Sequence, residues 1–162
     1  MLKDTIREDM KAAMKAGDTV TKGAVSMLLA AVKNRELDKR GRLAKAGTAE
    51  AELDVASALT DEEVIEVLGT EIKKRKESIA TYEAAGRAEL AAGEKAELAV
   101  LSKYLPEQMA EDAVVRLIAE AKAATGATGP KEMGKVMGAV APKVKGRFDG
   151  SRLAELVKQA LS

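Results

Sequence analysis

The sequence contains neither cysteine nor histidine. The first absence excludes disulfides and thiolate chemistry. The second removes the commonest general base and the commonest metal ligand. Aromatic residues are nearly missing too, with no Trp, one Phe and two Tyr, too few for RNA modules that stack bases on aromatic side chains. Three prolines interrupt 162 residues. The longest mostly apolar run, AVSMLLAAV from Ala24 to Val32, is about half of what a membrane span needs. Charges at Lys3, Asp4, Arg7, Glu8 and Asp9 do not fit a signal peptide. A soluble, cytoplasmic protein without metal, cofactor or membrane contact is the expectation.

What is present favours helix. The chain is 46% hydrophobic and 33% charged, with alanine very common. The formal net charge of +1 hides an asymmetry: residues 1–110 carry 18 Lys/Arg against 20 Asp/Glu, and residues 111–162 carry 9 against 6. The C-terminal third is the basic part, which alone is a weak pointer to nucleic acid.

Apolar spacing predicts seven helices and no strand. Leu2, Ile6, Met10 and Met14 mark the first, over about 2–16. Ala24, Leu28 and Val32, with the 25/29 pair, mark the second, which begins near Thr21 and runs to about Arg40. Residues 41–59 lose the pattern and read as a loose or mobile segment, or as an extension of the neighbouring helix. Thr60-Asp61-Glu62-Glu63 carries the signature of a capping box, opening a helix on Val64, Leu68, Ile72, Ile79 and Tyr82. A fourth follows Gly86 on Leu90, Leu98, Leu101 and Leu105. Leu105-Pro106 is the clearest boundary, because proline disfavours helical geometry in the residue before it. The expected fold is therefore all-α: a four-helix, bundle-like domain over 1–105, then a small three-helix domain over 106–162. The last three helices lie on Val114 to Ala121, from Pro130 onward, and from Asp149-Gly150-Ser151 to Leu161.

The sixth helix is peculiar. In MGKVMGAVAPKVKGR (133–147), glycines at 134 and 138 stand inside a helical pattern, where each costs roughly 1 kcal/mol relative to alanine. Four residues apart, they share a face and are expected to permit close helix packing. Lys143, Lys145 and Arg147, with Arg152 soon after, form a cationic run on a turn, an arrangement suited to phosphate and equally to an ordinary solvated connection. A second run, from Glu71 to Glu77, reads as a solvated helix face. Gly126-Ala127-Thr128-Gly129 matches a KH loop only literally, because that loop needs strands around it. Serines without histidine, and carboxylates scattered among lysines, provide no catalytic set.

Four strings together resemble the GatB/YqeY family: LLAAVKNRELDKR (28–40), EIKKRKESIATYEAAGR (71–87), VLSKYLPEQM (100–109) and MGKVMGAVAPKVKGRFDG (133–150). The resemblance spans nearly the whole chain; residues 41–59 look like an insertion. Ala141 stands where the family often has Met, and Phe148 where Ala is common. The resemblance implies a C-terminal domain similar to the tail of the B subunit of tRNA-dependent Asp/Glu amidotransferase, which contacts tRNA rather than performing the chemistry. Similar modules are fused to some glutaminyl-tRNA synthetases. It thus implies a non-catalytic tRNA-binding accessory role in translation, with Lys135, Lys143, Lys145, Arg147 and Arg152 as the nucleic-acid contacts and no DNA specificity. Two other roles fit the same resemblance: a helical adaptor for an amidotransferase or aminoacyl-tRNA synthetase, and a carbon–nitrogen ligase with glutamine as amido donor, as the family label reads.

Overall fold

The computed structural model describes residues 1–162 and contains α-helices, one 3₁₀ turn and no strand. The chain is all-α, as its periodicities predict. It divides into two compact units, Met1–Leu105 and Pro106–Ser162.

The first unit holds α1 (Leu2–Ala16), α2 (Thr19–Lys45), α3 (Glu50–Ser57), α4 (Asp61–Ala84) and α5 (Ala88–Ser102). Helix α2 is its centre and touches the other four. Ile6, Val25, Leu28, Val32, Leu59, Val64, Leu68 and Leu101 are essentially sealed from water. Burying each such side chain contributes about 1.5–3 kcal/mol relative to exposure. This cluster, rather than any surface ion pair, is the main source of stability. Asp18 caps α2 by accepting the Thr21 N–H at 2.9 Å, so the helix starts two residues before the expected Thr21. The Thr60/Glu63 capping box forms in both directions, at 3.3 and 2.9 Å.

Expectations fail at several places in this unit. The loose reading of 41–59 fails: α2 continues to Lys45, as the alternative of an extended helix has it, and Glu50–Ser57 forms an eighth helix that the apolar spacing did not mark. Tertiary contacts account for it. Leu53 and Leu59 are buried, Arg40 pairs with Asp54, and Lys39 donates to the Ala58 carbonyl at 3.2 Å while gripping Glu63 at 2.8 Å. The second failure lies on α4, where the charged run is not wholly solvated. Glu71 and Arg75 are only 7% and 4% exposed. They sit on the helix face that also carries Leu68, Ile72 and Ile79, with the Arg75 guanidinium 2.6 Å from Glu97 on α5. Leu90, expected on the apolar face of α5, is 46% exposed.

The second unit is a three-helix arrangement of α6 (Glu111–Thr125), α7 (Met133–Val144) and α8 (Gly150–Ala160), with the 3₁₀ turn Pro130–Glu132 leading into α7. All three helix pairs touch. Val114, Ile118, Val136, Val140, Leu153 and Val157 form the core. Asp149 caps α8 by accepting the Arg152 N–H at 2.8 Å.

Candidate nucleic-acid interface

Helix α7 does not stop at Pro142 but carries it in its last turn and ends at Val144. Proline there has no N–H to donate to the Gly138 carbonyl, and its ring crowds that carbonyl. The close packing expected of Gly134 and Gly138 is absent within this unit: a Cβ at either position would meet nothing within 4 Å. Nothing in the structure explains Gly134. Gly134→Ala should therefore stabilise the chain, by about 0.5–1 kcal/mol, read as a higher urea midpoint at unchanged slope. A destabilised variant would mean that a partner backbone occupies that face.

Beyond α7 the chain makes a type II turn over Val144–Arg147. Lys145 takes φ −55, ψ 126, Gly146 takes φ 71, and the Arg147 N–H donates to the Val144 carbonyl at 2.9 Å. A positive φ at the third position is what this turn type demands. Gly146→Ala should cost about 1–2 kcal/mol for the left-handed conformation alone, measurable by thermal unfolding. An unchanged midpoint would show that the turn relaxes freely into another form.

The turn is fastened to the segment that opens the unit. The Met109 N–H donates to the Arg147 carbonyl at 2.8 Å. The Gln108 side-chain amide donates to the Gly146 carbonyl at 3.0 Å and to that of Pro106 at 2.8 Å. Arg147 Nε donates in return to the Glu107 carbonyl at 3.1 Å. Pro-Glu-Gln-Met and Lys-Gly-Arg, about 40 residues apart, thus become one strap and turn.

The five cations expected as contacts separate into three groups. Lys143, in the last turn of α7, is exposed, and its ammonium makes no ion pair or hydrogen bond within the chain. Lys145 and Arg147 are exposed on the turn that follows. Lys135 lies about 12 Å back along α7 and pairs with Glu132 at 3.1 Å. Arg152 is committed elsewhere: its guanidinium grips Glu111 through two bonds, at 3.0 and 2.8 Å, and Glu155 through a third at 2.9 Å. That fork joins α8 to the start of α6, and the hydrogen bond from Arg152 holds the Glu111 carboxyl below its usual range. Glu132 is lowered likewise, first by the Thr128 N–H and then by Lys135. The structure thus brings Lys143, Lys145 and Arg147 together and assigns Arg152 to holding helices together. Sequence reasoning missed the strap; hydrogen bonds between distant loops leave no periodic trace, and Pro106 reads only as a boundary.

No group of His, Cys, Asp or Glu is placed to hold a metal ion, and no helix is long and apolar enough to cross a membrane.

A two-unit helical chain with a braced cationic turn in its second unit is the class these features define. The chain belongs to the Yqey-like protein family, whose model matches residues 3–161. It is also 29% identical over 103 residues to "Altered inheritance of mitochondria protein 41, mitochondrial" from Candida glabrata. That match covers 64% of this chain and 49% of the relative, so the chain spans about half the length of this curated protein.

Proposed function

We propose that this protein is a non-catalytic accessory module that binds tRNA through its second unit, acting in the cytoplasm. The observation that carries the reading is the turn: Lys143, Lys145 and Arg147 stand exposed within five residues of one another on a segment fastened at both ends. Cations on a rigid base suit phosphate, which positions a protein on nucleic acid without reading its bases. The scarcity of aromatics argues against base stacking, so recognition rests on RNA shape, phosphates and sugars. The relation to an amidotransferase tail, implied by the sequence strings, makes tRNA the RNA of choice. An amidotransferase or aminoacyl-tRNA synthetase acting on that tRNA is the partner this role would serve.

The test is a competition between bulk tRNA and duplex DNA of matched charge for the full-length chain. Saturable binding that prefers tRNA supports the reading. Equal competition by DNA would reduce the turn to a general polyanion site. Binding to neither would remove RNA from the account and favour the helical adaptor.

A further inference from the structure

Resting on that RNA-backbone reading, we infer that Gln108 is a positioning residue for the cationic turn: it sets the direction in which Lys145 and Arg147 are presented. The turn's internal bond, from the Arg147 N–H to the Val144 carbonyl, fixes its shape. It does not fix how the turn stands on the domain. Only residues 145–149 lie between the end of α7 and the start of α8. Their core anchors are Val144, buried, and Phe148, half-buried against the same cluster. Gly146 and Arg147, between those anchors, are held from the strap side. Both of their carbonyls accept strap donors, from Gln108 and from the Met109 N–H, and Arg147 returns a bond to Glu107. Gln108 spends its amide nitrogen on two carbonyls at once, Pro106 on the strap and Gly146 on the turn. It therefore holds the strap's own bend and the turn's direction together.

Gln108 is exposed. Its hydrogen bonds compete with water and add little to net stability. What they remove is the freedom of a glycine-containing turn whose cations must otherwise be ordered on binding. Ordering a long side chain or a loose turn at the moment of association weakens affinity without changing the number of contacts. The strap therefore belongs to the interface, although none of its atoms needs to touch RNA.

Gln108→Met keeps the length of the side chain and removes its donor. In the full-length chain it should lower tRNA affinity roughly three- to tenfold. The slope of log affinity against log salt should not change, because no cation is lost. Backbone order parameters at 145–147 in the free protein should fall from about 0.85 to below about 0.6. A role confined to stability would shift the unfolding midpoint and leave affinity and order untouched. Wild-type affinity in Gln108→Met, a changed salt slope, or a turn that stays rigid would each overturn the positioning role while leaving the RNA reading intact. Absence of tRNA binding by the wild-type chain would overturn the RNA reading, and this role with it.

Discussion

Arg75→Met should destabilise the first unit by about 2–3 kcal/mol, lowering its thermal midpoint by on the order of 10 °C. The side chain of Arg75 is 5% exposed, and its Nη2 lies 2.6 Å from Glu97 Oε2. Nε adds a second bond to the same oxygen at 3.1 Å, and Nη1 approaches Glu71 at 3.7 Å. Methionine fills much of the volume but leaves Glu71, whose side chain is 9% exposed, without its buried cation. Breaking such a buried pair from one side typically costs about 3–5 kcal/mol. Two features place this case at or below the lower end. Glu97 is 31% exposed and can turn to water, and Glu71 keeps Lys74 at 2.7 Å. Replacing all three charges with apolar residues of similar size should recover most of the loss, because a fully apolar cluster avoids the desolvation of every ion. Urea unfolding followed by far-UV circular dichroism decides it. A single variant as stable as the wild type would mean that water screens the cluster.

The second large effect concerns binding. Lys143→Glu with Lys145→Glu should lower tRNA affinity by roughly two orders of magnitude at about 0.1 M salt and reduce the salt slope by about 2. Both residues are exposed, but Lys145 also interacts within the chain, so the thermal midpoint of the double variant is measured beside its binding. An unchanged midpoint then separates a loss of binding from a loss of fold. Arg147 is left in place because its Nε also braces the Glu107 carbonyl; reversing it would confound charge with geometry. Arg152→Gln serves as the contrast. Its guanidinium is occupied by Glu111 and Glu155, so its loss should weaken the junction of α6 and α8 more than RNA binding. Unchanged tRNA affinity in the double variant would remove the turn from the interface.

What the sequence reveals of this fold follows what is local. The Thr60/Glu63 box and the Asp149 cap are spacing rules of three residues, and both form. The apolar stripes on α2, α4 and α7 are legible because one helix face decides burial. The helix at 50–57 escapes because it depends on tertiary contacts rather than its own spacing, the pairing with Arg40 on α2 and the core that Leu59 enters. Arg75 does carry a signal in the sequence. It lies three residues after Ile72 and four before Ile79, on the apolar stripe, and a charge at such a position signals a buried pair. The strap had no such signal. Its members, Gln108 and Gly146, are ordinary loop residues until the fold sets them 3.0 Å apart. The cationic run is visible in sequence, but which of its members are committed is not. Lys143 and Arg152 look alike in the sequence, and only the structure separates a lysine with an unpaired ammonium from an arginine clamped by two glutamates.

The central claim, that three braced cations meet RNA phosphates, is tested most directly by the salt dependence of tRNA binding to the intact chain. Three phosphate contacts give an expected log–log slope of roughly −2 to −3. A slope near zero, with binding that persists at high salt, would contradict the claim and point to an apolar helical contact instead.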